Sequence, residues 1–314
     1  MQLTARENLE KTIRHDHPQW VPSRYDGTLT MLRSNVIRVR PVKGGKDDWG
    51  VNWLYTNEEE GSYPDNKAVI DIEDIDAFEV PQTDWAEVSG DICRQLCEFE
   101  GKDILPIAYD ELLLFERVQL LLGFEGFMIA LVEYRDALDG LIEKIYQYNR
   151  RFVQVLLETN IAGIRFTDDW GMQDRLFISP ADWRALFKER YRALYGLVKA
   201  QGKLVFQHSC GRIEEIMDDI VELGVDVLDP CQPAANDIFA MKRHYGNAIT
   251  FMGGLDTQTW LTFGTPQEVY DNTLRTLAVM ADGGGYIAAP SHTITIPAEN
   301  RAAMERAIAD YNRI

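Results

Sequence analysis

Apolar residues recur along this chain in two alternating rhythms. Short apolar runs end in polar or acidic residues, and each run is followed by a stretch with helical spacing. Ile104-Leu-Pro-Ile-Ala-Tyr109 leads into Asp110-Glu111, Ile161-Ala-Gly-Ile-Arg-Phe166 into Thr167-Asp168-Asp169, and Leu204-Val-Phe206 into Gln207-His208-Ser209-Cys210. Val225-Asp-Val-Leu228 ends in Asp229-Pro230, Ile249-Thr-Phe-Met252 in Gly253-Gly254, and Tyr286-Ile-Ala-Ala289 in Pro290-Ser291-His292. Helices are predicted near 84–100, 113–124 and 133–158. Another follows Ser179-Pro180, where serine caps and proline takes the first helical position. Thr4 and Glu7 form a capping box, and Leu9 and Ile13 continue one apolar face, so a short helix opens the chain.

Strand–helix alternation over most of the chain predicts a parallel sheet with helices outside it. A doubly wound sheet would show a glycine-rich turn after an early strand, and neither GxGxxG nor a Walker pattern is present. The polar residues gather after nearly every strand instead of at one switch point. That arrangement predicts a (β/α)8 TIM barrel, one domain over 1–314, with its active site at the C-terminal strand ends. Counting Val21–Tyr25 gives seven clear strands. The eighth is expected either in the irregular 28–82 stretch or between 112 and 160. The 28–82 stretch reads as an N-terminal extension or insertion, with Val36–Arg40 and Val51–Tyr55 as a hairpin over one face.

Charge narrows the partners. Fifty acidic against 32 basic residues give a formal net charge of −18, which repels phosphate backbones and anionic lipid heads. Nucleic acid and membrane are therefore not expected partners. Arg6 and Glu7 stand where a signal peptide needs an apolar stretch, and no run approaches the roughly 20 apolar residues of a membrane span. Four cysteines in no disulfide-like framework fit a reducing compartment, so a cytoplasmic location is expected.

On a barrel, one rim collects Asp26, Asp110, Glu111, Asp168, Asp169, His208, Cys210, Asp229, Cys231, Asp256 and His292. His208 and Cys210 are the sharpest pair, because residues i and i+2 of an extended strand end share a face. Imidazole nitrogen and thiolate sulfur are favoured zinc donors, and His292 brings a third borderline donor to the same rim. Asp168, Asp169 or Glu111 can complete a tetrahedron. The Asp168-Asp169 pair can also cap the following helix, but two adjacent carboxylates on one rim more readily suggest a metal or a general base. Cys93 and Cys97, four apart on a helix, read as core thiols.

Together the following motifs resemble the uroporphyrinogen decarboxylase superfamily: Thr167-Asp-Asp-Trp-Gly171, His208-Ser-Cys-Gly211, Gln232-Pro233, Phe251-Met-Gly-Gly-Leu-Asp-Thr-Gln258 and Gly283-Gly-Gly-Tyr286. Phe115-Glu-Arg117 with Gly123-Phe-Glu125 extends the likeness. The superfamily holds metal-free decarboxylases and corrinoid-dependent methyltransferases. The decarboxylases use an arginine-rich opening segment to hold propionates, and Pro22–Thr28 offers one arginine, Arg24. The methyltransferases bind Zn2+ through His-x-Cys plus a later cysteine. Here His208 and Cys210 match the pair, and His292 stands in the later position.

The resemblance thus implies a zinc-dependent methyltransferase. Exchanging one thiolate for neutral imidazole makes the ion a stronger Lewis acid, suited to polarising a leaving group. The implied direction is demethylation of a small methylated substrate, such as a methoxylated aromatic, onto the Co(I) of a corrinoid protein. No Asp-x-His-x-x-Gly motif occurs, so the corrinoid is expected on that separate partner. Tyr25, Tyr109, Phe124, Trp170 and Gln232 are the expected substrate-side residues, and Asp168, Asp169 and Glu111 the catalytic carboxylates. A metal-free decarboxylase or lyase and the reverse methyl transfer are the alternatives. A homodimer is compatible with this reading.

Overall fold

Strand formation follows the apolar runs. The computed structural model describes residues 2–57 and 61–313. Among them the strands are β1 (Leu29–Leu32), β2 (Gly45–Lys46), β3 (Asn52–Asn57), β4 (Gly61–Pro64) and β5 (Leu105–Asp110). They continue with β6 (Gly163–Thr167), β7 (Leu204–His208), β8 (Val227–Asp229), β9 (Thr250–Leu255) and β10 (Tyr286–Pro290). Seven of these form one parallel sheet in the order β1-β5-β6-β7-β8-β9-β10, and β2-β3-β4 form a small antiparallel sheet.

The parallel sheet curls until its ends share one piece of chain. Ser23 bridges Ala288 of β10 in the parallel sense, while β1 pairs with β5 a few residues later. Arg24 N–H donates to the Ala288 carbonyl and Ala288 N–H to that of Pro22, both at 2.9 Å. Residues 22–32 therefore close the barrel as an interrupted strand. The interruption is a turn: the Asp26 carboxylate accepts the N–H groups of Ser23 (3.1 Å) and Thr28 (2.9 Å). The further strand expected in the irregular stretch thus lies at Leu29–Leu32, and the expected strand at Val21–Tyr25 shrinks to one bridge, so the sheet has seven strands among the described residues. Val36–Arg40 is not a strand either, because Arg38 N–H donates to the Asp48 carboxylate instead of a neighbouring strand.

Helices α1 (Ala5–Ile13), α2 (Trp85–Cys97), α3 (Phe115–Glu133), α4 (Arg135–Leu157), α5 (Pro180–Trp183) and α6 (Glu189–Ala200) precede β7. Helices α7 (Met217–Glu222), α8 (Ile238–Tyr245), α9 (Trp260–Phe263), α10 (Pro266–Met280) and α11 (Ala298–Tyr311) complete the set. Thr4 caps α1 with the expected box, and Ser179 caps α5. Helix α3 runs past its expected end across a break at Gly123, where φ is 68°. The thiols of α2 correct the reading of core cysteines. The buried face of that helix is Val88, Asp91 and Ile92, which leaves Cys93 and Cys97 exposed. No helix among the described residues is long and apolar enough to cross a membrane.

Two apolar layers form because strand side chains alternate. Leu105, Ile107, Leu204, Phe206, Val227 and Met252 fill the barrel interior. Ala108, Ile164, Val205, Leu228 and Phe251 face outward under the helices. Each fully buried side chain of this size is worth about 1.5–3 kcal/mol. This regular alternation fixes what the strand ends point at.

Candidate metal centre

The inward stripe turns polar where the strands end. Tyr109 follows Ile107 on the same face, His208 follows Phe206, and Asp229 follows Val227. Arg165 of β6 occupies the inward position beside Phe206. Register sets His208 directly between Thr167 and Asp229 on its two neighbouring strands. Arg165 donates to both oxygens of Asp229, at 3.1 and 2.5 Å. His208 Nδ1 lies 2.6 Å from Asp229 Oδ2. Arg165 Nη2 also lies 2.8 Å from Nδ1, but the shorter contact is to the Asp229 carboxylate, which only accepts, and this favours the proton on Nδ1 with Nε2 free.

The free nitrogen faces two further donors. Cys210 Sγ is 3.4 Å from His208 Nε2, and Asp169 Oδ1 is 3.6 Å from it. Among the described residues, Asp169, His208 and Cys210 form the group able to hold a metal ion, their donor atoms all within 4.8 Å of one another. Imidazole nitrogen, thiol sulfur and carboxylate oxygen form a zinc-competent set. Charge points the same way. Burial pushes the Cys210 thiol pKa up, and the carboxylates of Asp169, Asp229 and Glu116 push it further. A dication at this point would reverse that effect and favour the thiolate. Burial would also raise Asp229, but Arg165 and then His208 overcome it and hold this carboxylate well below the usual range.

Backbone contacts fix the two donor loops against each other. Gly211 has φ 78°, and a Cβ there would overlap the Gly171 carbonyl; one on Gly171 would strike the Arg212 backbone. Arg212 N–H donates to the Met172 carbonyl at 2.7 Å, and Cys210 N–H to Asp169 Oδ1 at 2.7 Å. The Gln232 side-chain oxygen accepts Gly211 N–H. Glycine at 171 and 211 is thus what lets the loops after β6 and β7 meet.

Not every sequence-predicted residue joins the group. Asp168 is fully buried and turned outward, where it accepts N–H groups from Leu114 (2.9 Å), Phe115 (2.8 Å) and Glu116 (2.7 Å). Helix α3 has no side-chain cap of its own, so Asp168 caps it from β6 instead of capping the helix that follows. Glu111 is bracketed by Arg33 at 3.1 Å and Arg40 at 3.7 Å. Tyr109 is half-buried, with the Arg33 and Arg165 guanidinium carbons 4.1 and 4.8 Å from its ring centre. Tyr25 is exposed at the strand interruption, under Arg301. Phe124 is 47% exposed beside Phe177.

Two expectations change more. Trp170 is 1% exposed, enclosed by Trp183 and Tyr191, and its indole N–H donates to Tyr191 at 2.8 Å. Its ring packs in the core and offers no face to a ligand. His292 is exposed on the loop after β10, its Nδ1 3.4 Å from the Thr293 carbonyl, and stands outside the three-donor group. The structure also supplies residues that the sequence reading left out. Arg165 holds Asp229 and approaches His208, and a charged residue inside an apolar strand was a readable signal. Glu116, brought in by α3, is pushed well up by burial and by the carboxylates of Asp169 and Asp168. In the sequence it stands out only inside the Phe115-Glu-Arg117 motif, with no role at the site.

Comparison with known proteins bears on the family and the fold. Residues 113–311 match the profile of the family described as uroporphyrinogen decarboxylase. No curated protein sequence matches the chain. Among solved structures, a methyltransferase from Methanosarcina mazei is similar with a TM-score of 0.75 and 14% identity, over 99% of each chain. A 3-keto-D-glucoside 4-epimerase from E. coli aligns with a TM-score of 0.42 and 13% identity, over 77% of this chain and 86% of its own. The first likeness supports the barrel over the whole length. The second is too loose to bear on it.

Proposed function

The chain belongs to the uroporphyrinogen decarboxylase family, and from that premise we propose that it is a zinc-dependent methyltransferase. In this reading it moves a methyl group from a small methylated substrate, such as a methoxylated aromatic, to the Co(I) centre of a separate corrinoid protein. The observation that carries the reading is the Asp169, His208 and Cys210 group at the barrel mouth. Asp169 takes the third position that the sequence suggested for His292. The fold shared along both chains with a methyltransferase supports the choice within the family.

Asp169, His208 and Cys210 would hold the ion, three protein donors being the number found in catalytic rather than structural zinc sites. When bound, zinc would supply a Lewis acid for the oxygen of the departing group. The chain's own residues do the rest. Asp229 and Arg165 fix the His208 ring so that Nε2 faces the open mouth. The Gly171–Gly211 contact holds Asp169 and Cys210 at working distance. Tyr109, over which Arg33 and Arg165 stand, forms an aromatic wall beside them.

One observation favours a second reading, a metal-free decarboxylase. Arg33, Arg38 and Arg40 line one cavity, so guanidinium groups are more plentiful near the mouth than the single Arg24 of Pro22–Thr28 implied. Metal analysis and assay separate the two. Stoichiometric zinc, lost together with methyl transfer in His208→Ala and Cys210→Ala, supports the methyltransferase. Zinc-free protein with turnover intact in both variants removes it.

A further inference from the structure

Beside the metal group, residues 33–42 and the end of β5 enclose a cavity of about 450 Å³. That volume lies in the range of small-molecule pockets. Two charged side chains at its wall are almost fully buried, Asp110 at 2% and Arg117 at 1% exposure. Asp110 Oδ2 and Arg117 Nε have no hydrogen-bond partner. Buried polar atoms are nearly always paired, so two orphans behind one cavity wall are unusual.

The rest of the lining describes that molecule. Trp49, Tyr109, Tyr148 and Phe152 supply aromatic walls. The side chains of Arg33, Arg38 and Arg40 are 57%, 61% and 44% exposed, so they stand at the opening. Arg33 and Arg40 share one carboxylate, Glu111, while Arg38 pairs with Asp48 and Arg117 with Asp47. Burial and the nearby Asp168 push the Asp110 carboxyl pKa well up. Four guanidinium groups thus share three paired carboxylates, Glu111, Asp48 and Asp47, in a chain whose net charge is −18.

We propose that this cavity seats a single-ring aromatic carboxylate, its ring among Trp49, Tyr109, Tyr148 and Phe152 and its carboxylate on the arginines at the opening. Arginine presents paired donors that match a carboxylate, and its charge discriminates against a neutral amide. Taking this ligand as the methyl-bearing substrate, a methoxylated benzoate, rests on the proposed function; the binding itself does not. Tyr109 connects the two places, lining the cavity and touching Arg165, which reaches His208.

The test is calorimetric titration of the full chain with benzoate and with benzamide. Benzoate is expected to saturate one site, and benzamide to bind at least about tenfold more weakly. Arg38→Gln/Arg40→Gln is expected to weaken benzoate about tenfold with a nearly unchanged unfolding midpoint, since the two side chains are 61% and 44% exposed. The single variant Arg38→Gln is expected to show a smaller loss of the same sign. Cys210→Ala is expected to bind benzoate as the parent does. Absent saturation, equal binding of benzamide, or indifference to both arginine variants overturns the proposal. Benzoate binding as expected, with methoxybenzoates never demethylated, leaves this site standing and removes the methyltransferase. Demethylation of methoxybenzoates that benzoate neither inhibits nor competes with removes this site and leaves the methyltransferase.

Discussion

His208 Nδ1 and Asp229 Oδ2 lie 2.6 Å apart across neighbouring strands, which commits the other imidazole nitrogen to the barrel mouth. Asp229 is in turn held by Arg165, with side chains 6% and 10% exposed. Partners behind a metal-binding histidine commonly set affinity by 10- to 100-fold. Asp229→Asn is expected to weaken zinc by about that factor, read by competition with a chromophoric chelator. The same change strands the Arg165 charge in the interior, and breaking such a pair typically costs about 3–5 kcal/mol. Asp229→Asn/Arg165→Gln is therefore expected to be more stable in urea than Asp229→Asn alone. Equal zinc affinity in the parent and Asp229→Asn would remove the orienting role.

Asp169 and His292 make opposite predictions about the third donor. Asp169 Oδ1 is 3.6 Å from His208 Nε2, whereas His292 points to its own loop. Asp169→Ala is expected to lower zinc occupancy on dialysis against a mild chelator, and His292→Ala to leave it near the parent value. Elemental analysis of the two dialysed variants decides the matter. The reverse pattern would transfer the ligand role to His292.

The barrel and the His208–Cys210 pair were legible because both rest on short-range periodicity. Alternation inside Leu204–His208 fixes which side chains face inward, whatever lies elsewhere. The split first strand was not legible, because Asp26 diverts the backbone by side-chain bonds that periodicity does not encode. Trp170 was misplaced for a related reason: its position after a strand end is right, but its surroundings come from Trp183 and Tyr191 on later helices. Glu116 needed the non-local contact between α3 and Asp168 to reach the mouth.

Gly211 supports a sharper test of the loop contact. Its φ of 78° is strained for other residues, and any Cβ would overlap Gly171. Gly211→Ala is expected to cost about 1–3 kcal/mol in urea unfolding and to lower zinc affinity, because Cys210 and Asp169 move apart. Gly196→Ala, on a helix with open space around the position, is the control and is expected to be neutral or slightly stabilising. Similar behaviour of the two variants would show that the Gly171–Gly211 contact does not position the donors.

Asp168 predicts a pH dependence of stability with a definite sign. Burial pushes its pKa from 3.8 up to about 6, against the opposing pull of the Glu116 N–H, the Tyr191 hydroxyl and the Leu114 and Phe115 N–H groups. Between those values the folded chain keeps a proton that the unfolded chain has lost. The contribution of this group is therefore fully present below about pH 4 and is lost as pH rises through about 6. A shift of roughly two units corresponds to about 3 kcal/mol, as an upper figure because Glu116 titrates beside it. Asp168→Asn has no such titration, only a constant penalty for turning an amide towards three backbone donors. In zinc-free protein, the stability of the parent relative to Asp168→Asn is expected to fall by up to about 3 kcal/mol between about pH 4 and pH 7. Urea midpoints across that range read it directly. A difference that stays flat or grows with pH would mean that Asp168 is ionised throughout, its capping of α3 outweighing its burial.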